Sequence, residues 1–265
     1  MTKRVLTAVA LMAPVIALVL WAPTWLYLAG VLPFGLLALW EYLELAARAG
    51  SAPARWPVYV AGLALWAVAA YRPGQLLAVL VGGCLLSLTV SFLGRRKMEE
   101  IFWLASASVF ALVYVAMPFA LVLDLRSLPE GRALVLYVLV VVWLGDTAAY
   151  FVGRAFGKTK LAPAISPGKT LEGAIASAFA GIALGHFFFA QWFGETVHSV
   201  LFPIVVNVTA QVGDLAESAL KRGAGVKDSS GILPGHGGML DRIDSLLFAI
   251  PAAWYYWSLL TRGVF

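Results

Sequence analysis

The chain has 265 residues, of which 62% are hydrophobic and only 12% charged, and its mean hydropathy is +0.87. A soluble globular domain is usually about half apolar, so this composition excludes an ordinary soluble fold. The net charge of +5 suits an anionic lipid surface or anionic substrates, and it gives no reason to invoke nucleic acid. The single cysteine, Cys84, excludes a disulfide framework within the chain.

Apolar runs of about 20 residues recur along the chain, and each is long enough to cross a bilayer as a helix. The sequence therefore predicts an all-α fold, a polytopic integral membrane bundle of about nine transmembrane helices. The predicted spans are 5–21, 24–46, 57–71, 75–93, 101–123, 133–153, 170–193, 197–220 and 244–261. Pro14 interrupts the first run and no clear cleavage site follows it, which favours a retained helix over a signal peptide.

The lysines and arginines are distributed unequally between the predicted loops. With the N-terminus inside, fifteen of the nineteen fall on the cytoplasmic side and four on the other side. Cytoplasmic loops of membrane proteins carry such an excess, so the sequence predicts this orientation. The two most charged loops, which follow the sixth and eighth spans, are then expected on the same cytoplasmic side.

The distribution of polar residues predicts two regions. Residues 1–100 are expected to form an N-terminal transmembrane scaffold, and residues 101–265 a C-terminal transmembrane catalytic region, because polar groups enter the helices from Asp146 onward. Glu41 and Glu44 are exceptions within the scaffold, three residues apart on one face of the second span. Interfacial positions, with Glu44 paired to Arg48, are the preferred interpretation, and a proton or cation site is the alternative.

The loop between Gly145 and Gly173 combines cations with glycines and prolines. Asp146 falls where the sixth span nears the cytoplasm, and a helix is predicted to start near Thr170, where free backbone amides attract anions. The loop's cations are Arg154, Lys158, Lys160 and Lys169. The glycines expected to permit close backbone approach are Gly153, Gly157 and Gly168. The spacing of a P-loop is absent, and the pattern favours another kind of anion site over an ordinary loop.

The segment 211–244 carries carboxylates at two helix ends. One face of the eighth span presents four polar residues at helical spacing: Asp214, Glu217, Ser218 and Lys221. Asp241 and Asp244 open the last helix. Such carboxylates supply the hard oxygen ligands that Mg²⁺ prefers, and the neighbouring cations suit a triphosphate. Salt bridges between the same acids and bases are the competing structural interpretation.

The residues from about 140 to 250 resemble the phosphatidate cytidylyltransferases, also called CDP-diacylglycerol synthases. The segments that carry the resemblance are GDTAAYFVGR, ISPGKTLEG, QVGDLAES, SALKR, KD, LP and HGGMLDRID. The resemblance implies transfer of CMP from CTP to phosphatidic acid, with release of pyrophosphate. It also implies dependence on Mg²⁺ and on a monovalent cation, K⁺, and a location in a bacterial inner membrane with the active site facing the cytoplasm.

The resemblance and the charges together assign expected roles. The expected catalytic residues are Lys221, Asp241 and Asp214. The expected metal ligands are Asp214, Asp241, Asp244 and Ser218. The expected substrate-binding residues are Asp146, Lys169, Glu172, Ser218, Arg222, Lys227, His236 and Arg242. For His236, phosphate contact, proton donation and a loop-shaping hydrogen bond all stay open.

Two other classes of protein are alternatives. A CTP-dependent lipid kinase would use similar cationic loops but release CDP, and an ion-coupled transporter would place its polar groups near the membrane midplane. Here the polar groups cluster at one face, which disfavours the transporter. The DG-x₂-AR motif of the alcohol phosphotransferases is absent. The expected partners are CTP, phosphatidic acid and membrane lipid. The sequence leaves the oligomeric state open, with a homodimer as one candidate assembly.

Overall fold

The computed structural model describes residues 2–94, 97–194, 196–232 and 237–263, with side chains described from Met12 onward. The first helices are α1 (Thr2–Trp21), α2 (Thr24–Arg48), α3 (Arg55–Tyr71), α4 (Leu76–Leu93, after a 3₁₀ turn at Pro73–Gln75), α5 (Met98–Ala111) and α6 (Met117–Ser127). The elements that follow are α7 (Gly131–Phe156), β1 (Lys160–Ala162), β2 (Ser166–Thr170), α8 (Leu171–Phe193), α9 (His198–Gly223), α10 (Leu240–Ile243) and α11 (Leu246–Thr261).

The prediction of an all-α fold of apolar helices is confirmed, and every predicted span coincides with a helical stretch. Within the described residues, six helices are long and apolar enough to cross a membrane: Thr24–Arg48, Pro73–Leu93, Met98–Ser127, Gly131–Phe156, Leu171–Phe193 and His198–Gly223. By comparison, α3 has 17 residues and α11 has 16. The predicted count of about nine spans is therefore not confirmed.

A π-helical turn at Leu112–Ala116 joins α5 to α6 into one rod. Pro118 follows this turn and has no backbone N–H, so the regular α-helical hydrogen bond at its position cannot form. Trp66 of α3 donates its indole N–H to the carbonyl of Ala116 at 2.8 Å, which fixes α3 against the irregular segment. The same turn holds Tyr114 against Phe248 of α11, with ring centroids 6.3 Å apart.

Helices α7, α8 and α9 pack closely through small and amide residues. Asn207 of α9 donates from Nδ2 to the carbonyl and hydroxyl oxygens of Ser177, each at 3.2 Å, and accepts from Gln211 at 2.8 Å. A Cβ at Gly145 or Gly181 would lie 2.5 or 2.4 Å from that Nδ2 atom. A buried side-chain amide in a membrane needs such hydrogen-bond partners. The two glycines leave space for the Asn207 amide and so allow α7, α8 and α9 to pack closely.

The cationic loop forms a β-hairpin that the sequence analysis did not predict. Its strands pair antiparallel, and the Thr170 hydroxyl accepts from the Gly173 amide at 3.2 Å, which caps α8 at the predicted start. A Cβ at Gly157 would lie 2.2 Å from the Gly153 carbonyl oxygen, so the predicted close approach is confirmed there. At Gly168 a Cβ would meet no protein atom within 4 Å, so the expectation for this glycine stays a prediction.

Candidate active site

The two charged loops meet at one end of the helix bundle. Arg222, at the end of α9, donates from Nε to the carbonyl of Ile165 in the hairpin loop at 3.1 Å. Lys169 of β2 places its ammonium 2.7 Å from the carboxylate of Asp214 on α9. These contacts confirm that both loops lie on the same side of the bundle.

A polar cleft of about 520 Å³ lies between α7, the hairpin, α8 and α9. Its charged and amide lining consists of Asp146, Arg154, Lys169, Gln211 and Asp214. The volume falls in the range of about 300–1,000 Å³ that is usual for small-molecule sites. Three of the residues predicted from the sequence, Asp146, Lys169 and Asp214, are thus brought together in one cleft of mixed charge.

Carboxylates from three elements concentrate negative charge beside this cleft. Asp244, between α10 and α11, accepts from the Ser245 amide at 2.7 Å. The carboxylates of Asp214, Glu217 and Asp146 lie close enough to Asp244 to oppose a negative charge there. A bound cation would relieve this repulsion.

The carboxylate oxygens of Asp214 and Asp244 would suit a divalent cation that binds together with a polyphosphate. Within the described ranges, no three carboxylate, imidazole or thiolate groups converge as ligands of one metal ion. Such a cage is not required for Mg²⁺, which usually takes one or two protein carboxylates and completes its shell with water and substrate phosphates. Asp214 and Asp244 supply suitable oxygen donors in a region of excess negative charge.

Asp241 occupies a different environment from Asp244, although both were expected to bind the metal. Its Oδ1 accepts from Lys221 Nζ at 2.5 Å, and its Oδ2 accepts from the Gly238 amide at 2.7 Å and from the amide and hydroxyl of Ser229, each at 2.9 Å. Burial alone would raise its pKa, but these hydrogen bonds outweigh burial and hold the pKa below its usual value. Both carboxylate oxygens of Asp241 are therefore engaged, and they tie Ser229 and Gly238, in the loop between α9 and α10, to Lys221 of α9.

Lys221 bridges two carboxylates. Its side chain is buried, and its ammonium contacts Glu217, four residues earlier on α9, as well as Asp241. Glu217 is itself fully buried. For Lys221 the structure thus displays the salt bridge that the sequence left as an alternative to a phosphate contact.

The remaining predicted substrate residues differ in their surroundings. Arg222, Lys227 and Arg242 are exposed, and Ser218 is buried on α9. Glu172 accepts backbone N–H groups of Lys158 and Thr159 at 3.1 Å, so its carboxylate braces the start of the hairpin. His236 lies outside the described residues.

Glu41 is the site residue whose role the sequence analysis missed. Glu41 is fully buried and accepts hydrogen bonds from Ser229, Ser230, Met239 and Leu240, contacts that the interfacial interpretation did not include. Glu44 pairs with Arg55 at 2.7 Å rather than with the predicted Arg48. An acidic residue inside an apolar run was the available signal.

An apolar cleft of about 260 Å³ follows the polar cleft along α7. It is lined by α1, α2, α6, α7, α10 and α11, and Arg242 of α10 is the charged residue of its lining. Trp143 lines this apolar cleft, whereas Asp146, one turn further along α7, lines the polar cleft. The two clefts therefore offer an apolar and a charged surface in succession.

Comparison with known proteins decides the family. The model of the cytidylyltransferase family matches residues 2–260. The chain belongs to this family. Among its relatives, the phosphatidate cytidylyltransferase of Bacillus subtilis (strain 168) is 36% identical over 231 residues, which cover 86% of this chain and 78% of that protein.

Two further relatives in the cytidylyltransferase family carry the same name. The Haemophilus influenzae protein is 44% identical over 135 residues, 48% of this chain and 46% of its own length. The Staphylococcus aureus (strain COL) protein is 40% identical over 167 residues, 62% of this chain and 63% of its own length. In these two, the similarity spans less than two thirds of the relative.

Proposed function

We propose that this protein is a phosphatidate cytidylyltransferase, which transfers CMP from CTP to phosphatidate and yields CDP-diacylglycerol and pyrophosphate. Membership of the family and the names of its relatives support this activity. The observation that carries the proposal is the succession of a charged cleft and an apolar cleft along α7. The charged cleft suits the nucleotide. The apolar cleft suits an acyl chain of phosphatidate, with the phosphate of the lipid near Arg242.

The reaction needs positioning and charge neutralisation more than proton transfer. A phosphate oxygen of phosphatidate forms a bond to the α-phosphorus of CTP, the bond from that phosphorus to the bridging oxygen breaks, and pyrophosphate leaves. The attacking oxygen is already anionic, so a protein base is not needed. Lys169 and Arg154 line the charged cleft, and Arg222 and Lys227 are exposed at its end of the bundle, where they can bind the phosphates.

Magnesium is part of the proposal. Asp214 and Asp244 would hold it. The sequence predicted Asp214 and Asp241 as the first ligands, with Ser218 and Asp244 as further ones, but both oxygens of Asp241 accept hydrogen bonds from Lys221, Ser229 and Gly238. When bound, the ion supplies positive charge to the polyphosphate. The monovalent cation and the homodimer stay predictions.

We further propose a bacterial inner membrane location with both clefts reached from the cytoplasm. CTP is a cytoplasmic nucleotide and cannot cross lipid, and fifteen of nineteen cationic residues fall on that side in the predicted topology. The shared position of the two charged loops is consistent with this orientation.

Isotope transfer tests the proposed reaction. Purified protein is incubated with phosphatidate, Mg²⁺ and CTP labelled in either the α- or the γ-phosphate, and the lipid fraction is counted. We expect label from the α-phosphate to enter the lipid and label from the γ-phosphate to remain in water-soluble pyrophosphate. Transfer of the γ-label to a lipid would establish a kinase and contradict the proposal.

A wider side chain in the apolar cleft should impair the lipid substrate selectively. Val122 of α6 lines this cleft, so Val122→Phe is expected to raise the KM for phosphatidate about tenfold or more by filling the space of an acyl chain, with little change in the KM for CTP. That factor corresponds to about 1.4 kcal/mol of lost binding. Val60→Phe, at an exposed position of α3, is the matched control. Equal lipid KM values for the two variants would refute an acyl site here.

A further inference from the structure

Glu41 connects the N-terminal half of the chain to the segment that carries Asp241. Its side chain leaves α2, is fully buried, and accepts four hydrogen bonds from residues nearly 200 positions away in sequence. Oε1 accepts from the Ser230 hydroxyl at 2.6 Å and the Met239 amide at 2.9 Å. Oε2 accepts from the Ser229 hydroxyl at 3.0 Å and the Leu240 amide at 2.6 Å.

These partners explain why a carboxylate is required at this position. A buried charge is stabilised when hydrogen bonds satisfy all its lone pairs, and donors to an ionised group make the strongest bonds. Here the donors are two hydroxyls and two backbone N–H groups, and the amides belong to the residues that lead into α10. A neutral side chain of similar shape would leave some of these donors unsatisfied.

The Glu41 carboxylate is linked to Asp241 through one hydroxyl group. Ser229 Oγ lies 3.0 Å from Glu41 Oε2 and 2.9 Å from Asp241 Oδ2, and its single proton can be donated to only one of them at a time. Gly238 completes the contact, because a Cβ there would lie 2.5 Å from Glu41 Oε1 and 2.1 Å from Ser229 Oγ. The loop can therefore approach α2 closely only with glycine at position 238.

We infer that Glu41 is a positioning residue of the active site. Its carboxylate holds Ser229, Ser230, Met239 and Leu240 against α2. It thereby sets the place of Asp241, of the Lys221 ammonium bonded to it, and of Arg242 beside it. Glu41 acts through the loop and touches no substrate. The kinetic part of this inference rests on the proposed cytidylyltransferase activity, whereas the structural part does not.

Glu41→Gln is the sharpest variant, because it keeps the shape of the side chain and removes the charge. The new amide group would turn its own N–H atoms towards one hydroxyl and one backbone N–H that now donate to the carboxylate. Glu44→Gln, one turn later on α2, is the matched control, since Glu44 is partly exposed and pairs with Arg55.

The experiment measures backbone amide hydrogen exchange, steady-state kinetics and melting on full-length protein in detergent. For Glu41→Gln we expect at least tenfold faster exchange at Met239 and Leu240, unchanged exchange in α7 and α9, and a kcat at least tenfold lower with a smaller change in the KM for CTP. Glu44→Gln should resemble the wild type in all three. Gly238→Ala should reproduce the local exchange and kinetic effects from the loop side.

Two results would overturn the inference. Wild-type exchange and kcat in Glu41→Gln would show that the carboxylate does not set the loop position, and uniformly faster exchange through all helices would show a general stabilising role instead. If the wild type itself does not transfer CMP, the proposed function fails, yet local exchange at Met239 and Leu240 still decides whether Glu41 holds the loop. Should Glu41→Gln not fold, the comparison of Gly238→Ala with the wild type decides in the same way.

Discussion

Replacing Asp214 by asparagine is expected to lower the rate of CMP transfer by at least about two orders of magnitude, the scale of losing one key electrostatic stabiliser. Asp214 lies on α9, lines the polar cleft, and is 2.7 Å from the Lys169 ammonium. Asparagine preserves its size and removes the negative charge that would bind a cation with the triphosphate. The side chain is about one third exposed, so the change should have little effect on melting.

The measurement compares initial rates at saturating CTP and phosphatidate with thermal melting of the same preparations. Glu99→Gln, an exposed acid at the start of α5, serves as the control for loss of one negative charge. Near-normal turnover by Asp214→Asn would remove this carboxylate from the active site. A melting temperature that falls as steeply as the rate would mark Asp214 as a structural partner of Lys169.

Replacing Lys221 by methionine is expected to destabilise the fold by about 3–5 kcal/mol, the usual cost of removing one partner from a buried ion pair. Glu217 is fully buried and Asp241 is nearly so, and both depend on the Lys221 ammonium for positive charge. Methionine fills a similar volume without that charge, so two carboxylates are left facing each other. Activity should fall as well, because the loop anchored by Asp241 loses its tie to α9.

A second substitution distinguishes this account from a phosphate-binding lysine. Adding Glu217→Gln to Lys221→Met removes one of the unpaired charges and should recover part of the lost unfolding free energy, measured by urea or thermal denaturation. Arg222→Met, next on α9 and exposed, is the matched control and should melt close to the wild type. If Lys221→Met also melts like the wild type but has a raised KM for CTP, the ammonium binds phosphate rather than holding the fold.

The helices were predictable because each apolar run is long and begins or ends near polar residues. The hairpin at Lys160–Thr170 was not, because its strands have three and five residues and contain proline, glycine and lysine, which resemble an ordinary loop. The start of α8 was predictable from Thr170, since a threonine before a helical run can cap it. Local patterns thus gave helices and caps but not the short strands between them.

The site was predictable in its residue types more than in its pairings. Asp241 and Asp244 are three apart, which suggests one shared helix face, but α10 ends at Ile243 after a single turn. Asp241 accordingly contacts Lys221 while Asp244 is affected by the charge of Asp214. Glu41 could not be connected to this region from sequence, because its partners lie about 190–200 residues away and hydrophobic periodicity carries no signal of such contacts.

Product stoichiometry is the most direct measurement of the central claim. Purified wild-type protein, supplied with phosphatidate, CTP and Mg²⁺, is assayed for lipid-linked cytidine and for pyrophosphate in the same reaction. The two products should appear in equal amounts, only when both substrates are present, and Asp214→Asn should lower both together. Release of CDP, or pyrophosphate without CDP-diacylglycerol, would contradict the assignment of this protein as a phosphatidate cytidylyltransferase.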